Sequence, residues 1–201
     1  MQNGSGQAAA LIPAMHIQKN GQKSASIQII SETDSWWVEY PADQFSACEN
    51  RFFVRIGEST FSEQGIRISV QKDGISLRGS VSFGPTLPIR YDIMGPFRWL
   101  PNMECSHSVI SMSHRLDGCL ILNGEKLDCS GGLGYIESDR GRSFPENYLW
   151  TQCCWENSSI MLSIASIPAL RIQFTGCICA IVHAAFPFTI QGRNARCLFI
   201  G

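Results

Sequence analysis

The 201-residue chain has almost no helical periodicity, few charged residues and no long apolar run. Charged residues make up 16% of it and the formal net charge is −1, so electrostatics give no reason to expect nucleic acid as a partner. The longest apolar run, 177–188, is interrupted by His183 and is too short for a transmembrane helix. Residues 1–6 are polar and glycine-rich, unlike a secretory leader. These absences predict a soluble, cytoplasmic protein.

Several well-known site motifs are also missing. Residues 130–134 lack the G-x-G-x-x-G spacing of a nucleotide loop, and no G-x-S-x-G nucleophile elbow is present. The nine cysteines are odd in number, and Cys177 and Cys179 have no second pair at zinc-ligand spacing. We therefore expect reduced, buried thiols, and we predict neither a structural metal nor a cofactor.

The sequence is rich in turn signals. Asn-Gly or Asp-Gly pairs at 20–21, 73–74 and 123–124 separate runs of alternating or apolar residues. Such pairs favour two-residue hairpins because both central residues need positive φ. Residues 51–56 and 65–70 alternate polar and apolar side chains, which turns one strand face inward, and 75–83 continues as a strand past the second of these turns. The chain is therefore predicted to be all-β, an antiparallel barrel or sandwich of many short strands.

Two central regions have more specific predictions. Residues 84–101 hold four of the nine prolines, which predicts a long irregular connection. Residues 106–113 and 116–122 are predicted to be separate strands that flank a short polar turn.

The densest mixture of glycine, charge and aromatic residues lies at 131–153. Glu137 and Asp139 are two apart on a predicted strand, so their side chains share a face. If that face is buried, desolvation and mutual repulsion raise the pKa of at least one carboxyl, which could then act as a general acid. The alternative is a structural ion-pair cluster with Arg140 or Arg142, which is the commoner arrangement.

Aromatic residues and histidines supply further candidates. The aromatic side chains either fill a β core or line a pocket for an apolar ligand. They are Trp36, Trp37, Trp99, Phe144, Tyr148, Trp150 and Trp155. Trp36 and Trp37 are adjacent, so they must face opposite ways on a strand. Cys105 and His107 could share a face, but His114 would point oppositely on an unbroken strand, so no metal site is expected. His107 is either a satisfied histidine or a polar group in an apolar cavity.

The segment Gly-Tyr-Ile-Glu-Ser-Asp-Arg-Gly-Arg-Ser-Phe-Pro at 134–145, continued by Tyr-Leu-Trp-Thr-Gln-Cys at 148–153, resembles the tocopherol cyclase family. Other segments are similar to that family's early hairpin (11–17 with 25–30), its central loop (94–97 and 101–107) and the hairpin before the signature (123–124). The resemblance covers about residues 8–183. It implies a lipocalin-like β fold related to carotenoid hydratases, with 1–130 as a first lobe and 131–201 as the signature and an incomplete second lobe.

The resemblance also implies a reaction, the closure of a prenylated quinol to a chromanol without a cofactor. An acid protonates the alkene, and the phenol oxygen captures the resulting cation. Glu137 or Asp139 would be the acid, and His107 or Glu104 the base for the phenol proton. The expected substrate-binding residues are Trp36, Trp99, Phe144, Tyr148 and Trp150. Peripheral membrane association would give access to such a lipid. The alternative is a non-catalytic, lipocalin-like carrier of an apolar isoprenoid.

The chain departs from the family pattern in three places. Arg140 stands where the family commonly has an aromatic residue. The chain begins where the family has already passed its first Trp-Tyr-Phe strand, and residues 184–201 no longer follow the pattern. We therefore expect a truncated protein whose incomplete second lobe exposes a strand edge to pairing with another chain.

Overall fold

The computed structural model describes residues 1–72, 74–95, 99, 105–143, 145–155, 158–169 and 172–183. Within these residues the chain forms antiparallel strands and a short 3-10 helix at Ala42–Gln44, but no α-helix. The strands are β1 (Ala10–Ile17), β2 (Lys23–Ile30), β3 (Ser35–Pro41), β4 (Phe45–Ala47), β5 (Phe53–Ile56), β6 (Ser59–Ser62), β7 (Gly65–Lys72), β8 (Ile75–Phe83), β9 (Cys105–Leu122), β10 (Glu125–Asp128), β11 (Leu133–Gly141), β12 (Tyr148–Trp155), β13 (Ser158–Ala169) and β14 (Ile172–His183). The all-β, antiparallel prediction is confirmed.

The strands pair into three sheets. Their orders are β1-β2-β3, then β10-β9-β8-β7-β6-β5-β4 with β11 also pairing to β9, and β12-β13-β14. Within the described residues no sheet closes on itself, so the finer prediction of a lipocalin-like barrel or sandwich is not confirmed. The same part of the chain contains no helix long and apolar enough to cross a membrane.

The hairpin between β9 and β10 follows the turn signal directly. Asn123 and Gly124 have φ values of 50° and 91°, and Leu122 pairs with Glu125 across the turn. Positive φ at both central residues is the requirement that Asn-Gly satisfies. Between β1 and β2 the chain uses a longer loop, in which the Asn20 side chain accepts a hydrogen bond from the backbone of Gln22. Asp73, in the third pair, lies outside the described residues.

The prediction of a turn between residues 113 and 116 is wrong, because Cys105–Leu122 is one continuous strand. Burial alternates along it but shifts by one position at Ser111 and Met112, which are both buried, a shift of the kind that a β-bulge produces. His114 therefore turns inward, where it is 3% exposed and hydrogen-bonded to Ser111 (3.0 Å). The shift also explains why His107, an odd number of residues away, is shielded as well.

The chain divides into two compact units, each with its own hydrophobic core. The first comprises Met1–Pro85 and Arg115–Gly134, and the second comprises Thr86–His114 and Tyr135–Gly201. The largest fully buried side chains of the first unit include Ile27, Ile56, Phe61, Leu77 and Leu120. The core of the second unit consists of Ile93, Val109, Met112, Met161 and Ala180. One unit boundary falls within β9, so this strand contributes Leu116 and Leu120 to the first core and Val109 and Met112 to the second.

Trp36 and Trp37 face opposite sides of β3, as the alternation predicts. Trp36 packs against the core of the first unit. Trp37 is 48% exposed, and its ring lies 5.2 Å from the imidazole of His16. Only one of the two tryptophans is therefore part of a core.

Candidate acid–base site

A cluster of acidic, basic and aromatic side chains lies in the second unit, where β11 pairs with β9. Tyr135, Glu137 and Asp139 occupy alternate positions of β11 and therefore share one face. His107 of β9 lies between the two carboxylates. Its Nδ1 is 2.7 Å from Oδ1 of Asp139, and its Nε2 is 3.5 Å from Oε2 of Glu137. These four residues and Trp150 of β12 form a group of five that we call the acid–base cluster.

Glu137 is held through one of its two carboxyl oxygens. The Tyr135 hydroxyl donates a hydrogen bond to Oε2 at 2.8 Å, and the Trp150 indole N–H donates to the same oxygen at 3.1 Å. No described residue donates to Oε1. The side chain is 25% exposed, so the carboxyl group is largely shielded but not sealed from a ligand.

The surroundings of Glu137 raise its pKa above the ordinary range. Burial is the main cause, because it disfavours the charged form, and the nearby charge of Asp139 acts in the same direction. Hydrogen bonds from Tyr135 and Trp150 and the charge of His107 oppose this effect without cancelling it. A carboxyl group with a raised pKa retains its proton at higher pH, which is what a general acid requires.

His107 is arranged as a base with an available nitrogen. Burial of the ring favours the neutral form, but the hydrogen bond to Asp139 and the charges of Glu137 and Asp139 outweigh it and raise the pKa. A carboxylate at Nδ1 favours the proton on that nitrogen, which leaves the Nε2 lone pair free. Nε2 is buried and makes no hydrogen bond in the described part of the chain. A buried polar atom without a partner is uncommon and suggests a place for a ligand.

Apolar and aromatic groups surround these polar atoms. The Tyr135 ring packs against the core of the second unit, and the Trp150 ring lies 6.2 Å from it at a tilt of 54°. Met94 places its sulfur 3.4 Å from the backbone nitrogen of His107. Burial and the charge of Asp139 raise the pKa of Cys105 to about 11, so this thiol stays protonated and is a poor nucleophile.

The structure brings together four of the predicted site residues: Glu137, Asp139, His107 and Trp150. Trp99 and Tyr148 are exposed, and Trp36 is partly buried and packs against the core of the first unit. Glu104 and Phe144 lie outside the described residues. Sequence reasoning missed Tyr135, although its position two residues before Glu137 places it on the same face.

The structure also bears on the alternatives that the sequence left open. Neither Arg140 nor Arg142 forms an ion pair with Glu137 or Asp139; His107 is the partner instead. Arg140 alternates with Asp139 along β11 and so points to the opposite face. Among the described residues, no three His, Cys, Asp or Glu side chains are placed to hold a metal ion.

Together, the fold and the cluster define an all-β protein with a candidate acid–base site. Comparison of the chain with protein-family models, curated proteins and solved structures finds no match. The resemblance to the tocopherol cyclase family therefore rests on the sequence segments alone.

Proposed function

We propose that this chain is a tocopherol cyclase-like isomerase with a lipocalin-like fold, which closes a prenylated quinol to a chromanol. The main support is the closeness of Glu137, a shielded carboxyl group with a raised pKa, to His107, whose buried Nε2 makes no hydrogen bond. Nε2 of His107 lies 3.5 Å from Oε2 of Glu137. The pair supplies an acid and a base in one site. The substrate class comes from the resemblance of residues 134–153 to the family signature.

The proposed reaction conserves every atom and electron pair of the substrate. Glu137 donates its proton to the less substituted alkene carbon, so a C–H bond forms as the π bond breaks. The phenol oxygen then bonds to the tertiary carbon, in the same step or after a short-lived cation. His107 takes the phenol proton on Nε2, and proton exchange between the protonated His107 and the Glu137 carboxylate restores both groups before the next turnover.

The remaining members of the cluster have supporting roles in this proposal. Asp139 orients His107 and stabilises its charged form. Trp150 and Tyr135 contact the acid through their polar ring edges. Their ring faces are proposed to stabilise a developing positive charge on a substrate bound beside them. Glu104 as an alternative base and Phe144 as a further ring face stay predictions.

A carrier of an apolar isoprenoid is the second candidate, and one observation favours it. β12 exposes large apolar side chains on both of its faces, Tyr148 and Trp150 on one and Leu149 and Trp155 on the other. Such a surface could contact a lipid or a membrane that contains it. A carrier needs this surface but has no need of an acid beside a base.

The test is incubation with a prenylated hydroquinone, followed by chromatography, because the cyclised isomer has the same mass. We expect wild type to form the cyclic isomer and Glu137→Gln to be at least about 100-fold slower. Glu125→Gln, an exposed carboxylate on β10, is the matched control and should keep its rate. A parallel titration by tryptophan fluorescence measures binding. Binding without conversion by wild type would overturn the enzyme and favour the carrier. A product heavier by one water molecule would overturn intramolecular capture.

A further inference from the structure

Both hydrogen-bond donors to Glu137 reach the same oxygen. Tyr135 Oη is 2.8 Å and Trp150 Nε1 is 3.1 Å from Oε2, while Oε1 accepts no hydrogen bond from the described residues. The two oxygens of a protonated carboxyl group are not equivalent, since one carries the proton and the other is the better acceptor. Two donors at Oε2 favour the form in which Oε2 is the acceptor and Oε1 carries the proton.

We propose that Tyr135 and Trp150 are positioning residues that direct the acidic proton of Glu137 to Oε1. The inference rests on the proposed function for its catalytic meaning, because only a Glu137 that acts as an acid needs its proton on a defined oxygen. The proton is then presented away from the two donors, at the oxygen that accepts no hydrogen bond from the described residues.

The same two donors limit how weak an acid Glu137 becomes. Hydrogen bonds to a carboxylate are stronger than those to a neutral carboxyl group, so each donor favours ionisation. Burial and the charge of Glu137 raise the pKa of the Tyr135 hydroxyl, so it remains a donor. Among the described residues, the other titratable groups facing Glu137 are His107 and Cys105 from β9 and Asp139 from β11. Trp150, from β12, also donates to Glu137, but its indole N–H does not titrate.

Tyr135 and Trp150 differ in how much they contribute to core packing. The Tyr135 ring packs against the second-unit core, so Tyr135→Phe removes the hydroxyl and keeps that packing. Trp150 is 42% exposed and is not a core residue. Its hydrogen bond to Glu137 is therefore the specific contact that Trp150→Phe removes. Trp155→Phe is the matched control, because Trp155 lies on the same strand, is similarly exposed and does not bond to Glu137.

The experiment titrates the Glu137 side-chain carboxyl by NMR in glutamate-labelled protein without substrate. Tyr135→Phe and Trp150→Phe should each raise the pKa of Glu137 by about 1, and Trp155→Phe should leave it unchanged. A pKa that stays constant or falls in both variants would overturn the proposal. If Tyr135→Phe does not fold, as judged by circular dichroism, the Trp150→Phe titration decides alone.

Turnover separates this inference from the proposed function. In an active enzyme the acid must be protonated, so the rate falls as pH rises through the pKa of Glu137. Each variant should move that fall to higher pH and lower kcat about tenfold. Turnover by wild type without a pKa change in the variants would overturn the positioning role alone. A pKa change with no turnover by wild type would support the positioning role and overturn the cyclase.

Discussion

Nδ1 of His107 lies 2.7 Å from Oδ1 of Asp139, the shortest contact in the acid–base cluster. This contact joins β9 to β11, and it places the two ring nitrogens of His107 in different environments. Nδ1 is engaged by Asp139, whereas Nε2 faces Glu137 without a hydrogen bond. The behaviour of the proposed base therefore depends on a carboxylate that need not touch the substrate.

Replacement of that carboxylate should change how His107 titrates. Asp139→Asn removes the negative charge that stabilises the protonated imidazole of His107, so the pKa of His107 should fall. NMR of the imidazole protons measures this pKa. Asp117→Asn, an exposed carboxylate on β9, is the control. An unchanged His107 pKa in Asp139→Asn would contradict the assigned role.

The same pair should affect stability in a defined pH window. The pKa of His107 is raised in the folded protein, so its contribution is complete below about pH 6.5 and is lost as pH rises through the raised value. Wild type should therefore exceed Asp139→Asn in free energy of unfolding by more at about pH 5.5 than at about pH 8.5. Urea denaturation at the two pH values measures the difference.

His114 should produce the opposite pH dependence. Burial lowers its pKa to about 4, so the unfolded chain binds a proton more readily than the folded one. Stability should consequently fall as pH falls from about 6.5 towards 4, by about 2–3 kcal/mol. His114→Gln cannot titrate, and its free energy of unfolding should depend less on pH in this window. His16→Gln is the control, and equal slopes in His114→Gln and wild type would refute the prediction.

The adjacent tryptophans of β3 should differ in their contribution to stability. Trp36→Ala removes a partly buried side chain that packs against the first-unit core and should cost about 2 kcal/mol, whereas Trp37→Ala removes a half-exposed ring and should cost about 1 kcal/mol or less. Urea denaturation of both variants at neutral pH tests this. Equal losses would contradict the assigned faces.

Local patterns predicted much of the architecture. Alternation placed Glu137 and Asp139 on one face, and Asn123-Gly124 defined a hairpin because its conformational requirement is local. The approach of His107 could not be predicted in this way, since the pairing of β9 with β11 depends on contacts between distant parts of the chain. The phase shift at Ser111 and Met112 was also missed, because the polar residues at 114–115 suggested a turn.

Arg140 and Tyr135 show two further limits. The sequence left open an ion-pair cluster of the two carboxylates with Arg140 or Arg142, although strict alternation turns Arg140 to the face opposite Asp139. Tyr135 shares the correct face, but its role depends on where its hydroxyl group points. Hydrogen-bond direction is set by packing, and no sequence spacing specifies it.

The alternation of β11 also constrains how this site could diverge over time. Tyr135, Glu137 and Asp139 meet their partners because they are two residues apart on a paired strand. Inserting or deleting one residue between the start of β11 and Tyr135 would turn all three away while leaving each one present. Descendants that keep this chemistry should therefore accumulate substitutions around the three positions, while the spacing between them stays fixed.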